Sequence, residues 1–353
     1  MGMQSNFIWM NGQLVEYEKA TMHFLTPVAH YGVGVFEGIR SYATQRGPAV
    51  FRLKEHVERL IDSARLLGFR SLPYSAEELA AAIKLTVAAN GFSECYIRPL
   101  IYLSDGGWNL NVDAGKPSIG IAAWEWTNYL GQEALERGVR ANISSFTRHH
   151  PNVMLTKAKV VGNYANSVLA KTESVRLGFD EAILLDPQGF VAECTGENIF
   201  TVRQGIIYTP PTATILEGIT RDSIIQLAQD LGYKVVEQAI SRDQLYRADE
   251  VFVCGTAAEC IALYEIDFRL IGEGKTGPVT RASSSTSSSA ISSAASWPAA
   301  SPACAARPAA RSASSRSVAR GGCAPRAGAG AWPTRPRTWS IEFSRPYPTA
   351  SLS

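Results

Sequence analysis

The chain lacks the cysteine pairs, long hydrophobic runs and internal repeats that mark several large classes of protein. Its 6 cysteines, in 353 residues, form no C-x-x-C pair and have no nearby histidine. The sequence therefore predicts neither a disulfide framework nor a metal site. No stretch reaches the ~18 apolar residues of a membrane span, and no basic segment precedes an apolar run at the N-terminus. We expect no membrane association, and a reducing cytoplasm is the predicted compartment.

Lysine and acidic residues are scarce in the last part of the chain. Residues 282–353 hold eight Arg, one Glu and no Lys or Asp, a net charge of +7, whereas residues 1–281 sum to −5. This tail of Ala, Ser, Pro, Arg and Gly has no regular apolar period, so it is predicted to be disordered. Two origins stay open: a basic arm for an acidic partner, or a reading frame shifted near 278–281, since GC-rich codons yield these residues out of frame. No nucleic-acid-binding module is visible, so nucleic acid is not an expected partner.

Residues 1–128 predict a small N-terminal domain in which strands and helices alternate irregularly, as in α+β proteins. Residues 6–15 read as two short strands around an Asn-Gly turn. Helical spacing of apolar residues continues to Leu67 and stops at Gly68, and a second helix opens at a Ser75–Glu78 capping box and closes at residues 90–91. Two apolar strands follow, at 96–103 and 118–126.

Residues 129–138 carry Gly near both ends and predict a connector between two domains. Residues 139–281 then predict a larger domain, which gives the whole chain a mixed α+β and α/β character. Its predicted elements are a strand at 139–146, a helix at 164–177, a hairpin at 181–193, a strand at 198–203, helices from 220 and 241, and a strand at 250–254.

The chemistry of the chain is suggested by Lys159 and Glu193. Small and apolar neighbours surround Lys159, and such surroundings lower the pKa of an amine so that it can form a Schiff base with an aldehyde. The aldehyde cofactor pyridoxal 5′-phosphate also needs an acid at its pyridine nitrogen, and Glu193 at a strand end could serve. The ordinary alternatives are a solvated surface lysine and a carboxylate that only caps a turn. Lys157, two residues away, is the competing lysine.

A phosphate would find donors in two glycine-containing turns. Gly218, Ile219 and Thr220 stand at a predicted helix start, where free N–H groups and the helix dipole favour an anion. Residues 254–259 form a second small-residue turn after a strand, and Arg59 could supply a positive charge. Each of these features could equally be an ordinary cap, turn or surface arginine.

Taken together, these segments resemble the fold-type IV pyridoxal-phosphate enzymes, most closely the bacterial branched-chain amino acid aminotransferases. The resemblance covers residue 6 to about 280 and stops where the unusual tail begins. The matching segments are HYGVGVFEGIR (30–40), FRLKEHVERL (51–60), YIRPL (96–100), KVVGNY (159–164), ECTGEN (193–198), GITRD (218–222) and GTAAE (255–259). It implies the two-domain fold of D-amino acid aminotransferase-like proteins.

The resemblance implies that Lys159 bonds to the cofactor and moves the substrate proton. It implies cofactor-binding roles for Arg59, Tyr164, Glu193, Leu216, Ile219, Thr220 and Thr256. It implies a substrate pocket formed by Tyr31, Phe36, Tyr96, Arg98, Trp126, Tyr129 and Ala257, with Tyr164 shared. In this scheme Arg98 receives the side-chain carboxylate of glutamate, and the aromatic residues receive leucine, isoleucine or valine.

The expected reaction is transfer of the amino group of these amino acids to 2-oxoglutarate, with glutamate as product, in a homodimer or homohexamer. Residues 105–110 depart from the family's pattern in a loop that reaches a neighbouring subunit's pocket. A D-amino acid aminotransferase or an aminodeoxychorismate lyase of the same fold is the nearest alternative, and an inactive product of a shifted frame is another.

Overall fold

The computed structural model describes residues 5–126, 132–284 and 341–343. It opens with the hairpin predicted around Asn11-Gly12, both of which adopt positive φ angles of 47° and 97° in the turn. Trp9 from this hairpin is buried in the first core. The turn thus fixes the register of the first two strands.

The first sheet is antiparallel throughout its described strands. Its strands are β1 (Phe7–Met10), β2 (Gln13–Glu16), β3 (Gly34–Phe36), β4 (Ile39–Tyr42), β5 (Ala49–Phe51), β6 (Cys95–Asp105), β7 (Lys116–Trp124) and β17 (Ile341–Phe343). Their order is β17-β5-β4-β6-β7-β1-β2, with β3 paired to β6. Strand β17 lies within the tail predicted to be disordered, and it pairs with β5.

Two amphipathic helices cover this sheet, α2 (Leu53–Leu67) and α3 (Ala76–Asn90), after the short α1 (Pro27–Tyr31). Both end as predicted at a left-handed glycine, Gly68 or Gly91, and the capping box between Ser75 and Glu78 is present. The buried face of α2 packs with that of α3 in one core. Single-turn 3-10 helices occupy Tyr17–Lys19 and Val112–Ala114.

The second sheet mixes parallel and antiparallel pairs. Its strands are β8 (Val139–Ile143), β9 (Glu181–Leu185), β10 (Val191–Cys194), β11 (Asn198–Arg203), β12 (Ile206–Thr209), β13 (Lys234–Glu237), β14 (Glu250–Gly255), β15 (Glu259–Ile266) and β16 (Arg269–Leu270). The order is β10-β9-β8-β15-β14-β11-β12-β13, with β16 on β15. The strand predicted to reach residue 146 ends at Ile143. The Ser144 N–H still donates to the Ile183 carbonyl at 2.9 Å, but the next N–H, that of Ser145, donates to the Glu173 carboxylate at 2.9 Å instead of to the sheet.

The helices of this second part are α4 (Gln132–Arg137), α5 (Tyr164–Arg176), α6 (Ile219–Asp230) and α7 (Arg242–Tyr246), with 3-10 turns at Val161–Asn163 and Thr212–Thr214. Helix α4 lies within the predicted connector, and its Ala134 packs in the core of the second sheet. Strand β7 of the first sheet ends at Trp124 and α4 starts at Gln132, and residues 127–131 lie outside the described residues. The domain boundary at 129–138 stays a prediction.

Residues 278–284 are helical up to the end of this described range, and this helix is called α8; the first residues of the predicted tail, 282–284, belong to it. The buried carboxylate of Glu250 caps its start by accepting hydrogen bonds from the backbone of Val279 (3.1 Å) and Thr280 (2.9 Å) and from the Thr280 hydroxyl (2.7 Å). Val279 packs in the core beside α6.

The two sheets meet through specific contacts. Arg52 caps α2 with a left-handed φ of 49°, and its guanidinium reaches Asp222 of α6 at 2.6 Å and Ser223 at 3.1 Å. The carbonyl of Lys159 accepts the N–H of Phe36 at 3.1 Å, and its own N–H donates to Ser63 at 3.0 Å. The lysine therefore stands at the junction of the two halves.

Candidate active site

A branched cavity lies at this junction, and Lys159 lines all of its three lobes. One lobe holds Glu193 and Arg148, the second holds the aromatic residues of the first sheet, and the third holds the start of α6. A single amine thus faces a buried acid, an apolar pocket and a helix N-terminus. All of the predicted site residues that the structure describes, except Tyr31, line the three lobes.

The Lys159 amine lies 2.6 Å from the Tyr164 hydroxyl, across the 3-10 turn that starts α5. It also lies 5.0 Å from the ring centroid of Phe36, and its neighbours Ala158 and Val160 are buried. Lys157 points elsewhere, because its amine bonds the carbonyls of Thr212 and Ile215. The structure therefore separates the two lysines and places only Lys159 beside the tyrosine.

Glu193, on β10, is buried and held by three neighbours. Its Oε1 lies 2.7 Å from Nε of Arg148, while Oε2 accepts hydrogen bonds of 3.2 Å from the Asn198 amide and from the Leu216 backbone. Burial raises the pKa of Glu193, and the charge of Arg148 opposes that rise. The sequence reasoning missed Arg148; the only signal was a charged run, 148–150, shortly after a strand.

The third lobe is built for an anion. Helix α6 starts at Ile219 behind Gly218, and no side chain caps its first N–H groups. A Cβ on Gly218 would lie 1.9 Å from Asn198 Oδ1, so only glycine lets the chain approach this closely. Thr220 and Thr256 line the same lobe. The glycine turns predicted to hold a phosphate therefore face one another.

Arg59 from α2 lines this lobe and is oriented by a second buried acid, Glu37. The Nε and one terminal nitrogen of Arg59 donate to Glu37 at 2.6 and 2.9 Å, and the other terminal nitrogen donates to the Glu217 carbonyl at 2.8 Å. Three of the five guanidinium N–H groups are thus used, which leaves two for an anion. Glu37 and His56, its 2.8 Å neighbour, were not predicted from the sequence.

Burial raises the pKa of Glu37, but Arg59 and His56 outweigh it and hold that pKa well below its usual range. Burial also lowers the pKa of His56. A neutral imidazole beside a carboxylate carries its proton on the facing nitrogen, so Nδ1 of His56 donates to Glu37. Glu37 is therefore an ionised counter-charge beneath the anion lobe.

The second lobe is aromatic on one side and polar on the other, where Lys159, Lys171 and Glu197 line it. Phe36, Tyr96, Trp126 and Ala257 line it together with Arg98. The Arg98 guanidinium lies 4.6 Å from the centroid of the Phe36 ring and 3.2 Å from the Tyr96 hydroxyl. Among the described residues, no carboxylate forms an ion pair with Arg98. The arrangement offers a cation within an aromatic pocket.

One predicted pocket residue lies away from this cavity, and a second cannot be placed because it lies outside the described residues. Tyr31 is 44% exposed, and its ring packs 5.5 Å from that of Trp108 instead of lining the lobe, because α1 turns away at Gly32. Tyr129 lies outside the described residues. Leu216 does line the lobe next to Glu193, as expected.

A second acidic cluster at the cavity was also missed. Glu197 is buried and lines two lobes, and burial together with the nearby Glu181 raises its pKa. Glu181 accepts from the Thr195 hydroxyl and pairs with Lys171, both at 2.5 Å. Lys171, Thr195 and Glu197 lie 10, 14 and 16 positions from Glu181, so the packing of α5 and the pairing of β9 with β10 are needed to bring them together.

The residues fit a cofactor with an aldehyde, a pyridine nitrogen and a phosphate. The buried carboxylate and the uncapped helix start lie in two different lobes, and the Lys159 amine faces both of them. A metal cofactor has no comparable support: within the described residues no group of three or more His, Cys, Asp or Glu side chains could hold a metal ion. No helix in the same part of the chain is long and apolar enough to cross a membrane.

The model of the amino-transferase class IV family matches residues 34–266. A branched-chain-amino-acid aminotransferase of Pseudomonas aeruginosa is 47% identical over 280 residues, which covers 79% of this chain and 91% of that protein. The range that the family model matches includes every residue that lines the three lobes.

Solved structures of similar proteins share the architecture. The crystal structure of the Escherichia coli branched-chain amino acid aminotransferase superposes with a TM-score of 0.80 at 43% identity, over 82% of this chain and 96% of that one. The branched-chain amino acid aminotransferase of T.th. with pyridoxamine 5′-phosphate gives a TM-score of 0.78 at 49% identity, over 83% and 96%.

Proposed function

The chain belongs to the class IV aminotransferase family, and from this premise we propose that it transfers the amino group of leucine, isoleucine and valine to 2-oxoglutarate (EC 2.6.1.42). The products are branched 2-oxo acids and L-glutamate. The observation that carries the proposal is the 2.6 Å contact of Lys159 with Tyr164 in a cavity that also contains Glu193 and the Arg98 pocket.

We propose pyridoxal 5′-phosphate as the cofactor, which supplies an electron sink when bound. Its phosphate would be held by Arg59, Ile219, Thr220 and Thr256, its pyridine nitrogen by Glu193, and its ring by Leu216 and Tyr164. The pyridoxamine 5′-phosphate in the T.th. structure supports this proposal, as does the division of the cavity into a basic and an acidic end.

Lys159 has two tasks in the proposed reaction. Its amine would hold the cofactor until the incoming amino acid takes its place, and would then take the proton from the substrate's Cα and deliver it to the cofactor's C4′. The Tyr164 hydroxyl keeps the amine oriented through the 2.6 Å contact. The buried neighbours of Lys159, Ala158 and Val160, shield this part of the cavity from water.

One pocket serves two kinds of substrate. An aliphatic side chain gains about 1.5–3 kcal/mol from burial against Phe36 and Trp126. A glutamate side chain would place its carboxylate on Arg98, which has no acidic partner among the described residues. Tyr96 and the backbone of Ala257 would hold the α-carboxylate that both substrates share.

We also propose that the chain assembles as a homo-oligomer. Tyr31 and Trp108 are each about half exposed, at 44% and 45%, and their rings pack together beside that of His30. An exposed aromatic cluster of this kind is typical of a protein interface. Tyr31 would then contribute to the pocket of a neighbouring subunit, and sedimentation of the Trp108→Ser variant would show weakened association.

The primary test is spectroscopic. The purified protein should carry an absorbance band near the visible edge that survives dialysis and is bleached by L-leucine. Borohydride reduction followed by peptide mapping should label Lys159. Labelling of Lys157 would refute the assignment, and absence of the band in soluble protein with added cofactor would refute the function.

The dual specificity has its own test in the variant Arg98→Met. Loss of the charge-assisted contact should lower kcat/KM for L-glutamate by about tenfold or more, while kcat/KM for L-leucine changes much less. Arg203→Met, which removes an arginine from an exposed ion pair with Asp249, is the matched control. Equal losses for both substrates would contradict the assignment of Arg98.

A further inference from the structure

Arg148, which pairs with Glu193, is a cavity residue to which the proposed reaction assigns no task. Arg148 follows β8, and its backbone N–H donates to the Leu185 carbonyl at 2.8 Å. Its Nε lies 2.7 Å from Glu193 Oε1, and both side chains are less than a tenth exposed. The fold thus places a buried cation directly behind the acid that faces the cofactor lobe.

The other groups around Glu193 supply less charge. Asn198 and the Leu216 backbone donate as neutral groups. Burial lowers the pKa of His149 to about 4, so this neighbour of Arg148 is neutral, and burial keeps the Cys194 thiol protonated by raising its pKa. Lys159 is the other cation near Glu193, and its amine is the group consumed in the bond to the cofactor.

Removing a carboxylate from water favours its protonated form unless a positive charge compensates. Once the Lys159 amine is bonded to the cofactor, Arg148 is the charged side chain that still compensates Glu193. A hydrogen bond between a carboxylic acid and a pyridine nitrogen can hold its proton on either atom. Which atom holds it decides whether the ring is positively charged.

We propose that Arg148 is a positioning residue that keeps Glu193 ionised, so that the proton between the two groups resides on the pyridine nitrogen of the bound cofactor. This inference rests on the role proposed above for Glu193. When position 148 is neutral, the proton passes from the ring nitrogen to the Glu193 carboxylate, and both groups become uncharged. The ring then loses the positive charge on which its function as an electron sink depends.

A pair of cofactors tests this inference without measuring turnover. Cofactor-free protein is titrated with pyridoxal 5′-phosphate and with its 1-deaza analogue, in which a C–H replaces the ring nitrogen, and the two dissociation constants are compared. The original chain should bind the natural cofactor more tightly, because the ring C–H of the analogue cannot donate a hydrogen bond to an ionised Glu193. Arg148→Gln should reduce this preference by about tenfold or more at pH 7.

Companion variants separate charge from shape. Arg148→Lys retains the charge and should keep the preference within about threefold of the original. Arg148→Met is a second neutral variant for the case in which Arg148→Gln does not fold, and Arg203→Gln, which removes an exposed arginine far from the cavity, should change nothing.

Two results would overturn the inference. The first is an unchanged preference, or an equal loss of affinity for both compounds, in the neutral variants, because a merely structural arginine would produce that pattern. The second is loss of the preference in Arg148→Lys. Failure of the original chain to bind either compound would instead remove the proposed function itself, so the two failures are distinguishable.

Discussion

The buried pair of Glu37 with Arg59 predicts an unusual response to the variant Glu37→Gln. Glu37 is fully buried, and its carboxylate contacts Arg59 at 2.6 and 2.9 Å and His56 at 2.8 Å. Glutamine keeps the volume but leaves the Arg59 charge without its counter-ion. Removal of one partner of a buried ion pair costs about 3–5 kcal/mol. Since the Arg59 side chain is 15% exposed, we expect the lower end, ~3 kcal/mol.

The cofactor should recover part of this loss. A bound phosphate supplies the negative charge that Glu37→Gln removes, so the cofactor should stabilise the variant more than the original chain. Urea unfolding at pH 7.5, with and without pyridoxal 5′-phosphate, gives both free energies of unfolding. Glu58→Gln on α2, the helix that carries Arg59, is the control, because its exposed pair with Lys54, at 3.8 Å, contributes little.

The pH dependence follows from the same pair. Arg59 and His56 hold the folded-state pKa of Glu37 below the value of about 4.3 in an unfolded chain. The stabilisation is therefore complete at neutral pH and decreases as the pH falls below ~4. The free energies of unfolding of the original chain and of Glu37→Gln should differ by the same amount at pH 7.5 and at pH 6. This difference should shrink as the pH falls below ~4. If the free energy of unfolding of cofactor-free Glu37→Gln lies within about 0.5 kcal/mol of that of the original chain at pH 7.5, Glu37 is not the stabilising counter-ion of Arg59.

Three further changes test other contacts. Gly38→Ala puts a Cβ 2.0 Å from the Tyr96 hydroxyl and should raise KM for L-leucine by about tenfold in steady-state assays, whereas Gly120→Ala, in open space, should not. Glu250→Ala removes the cap of α8 and should lower the free energy of unfolding by ~2 kcal/mol in urea titrations. Ser75→Ala breaks the capping box of α3 and should cost ~1 kcal/mol by the same measurement.

Elements whose ends are set by local chemistry could be predicted from the sequence. Helix α3 starts at its capping box, and both α2 and α3 end at a glycine in the left-handed conformation. The strands β3, β4 and β5 were not predicted, because they are three or four residues long and set between glycines. Their pairing with β6 and with one another depends on contacts distant in sequence.

The same division holds within the candidate site. Lys159, Glu193 and the Gly218 turn could be predicted because each lies in a segment of recognisable composition. Arg148 and Glu37 could not, since their partners are 45 and 22 residues away and only the sheets bring them together. Tyr31 was assigned to the pocket from resemblance, and in a single chain it packs on Trp108.

The hydrogen bonds of Lys159 to β3 and α2 would make the proposed cofactor a reporter of how the two halves fit. The backbone of Lys159 bonds Phe36 and Ser63, while its amine faces groups carried by the second sheet. A hinge opening that moved the first half would carry the lysine away from the acid and the phosphate lobe. The absorbance of the bound cofactor should therefore decrease when the two halves lose contact, before either sheet unfolds. Stopped-flow absorbance in denaturant would record this separation as the earliest phase.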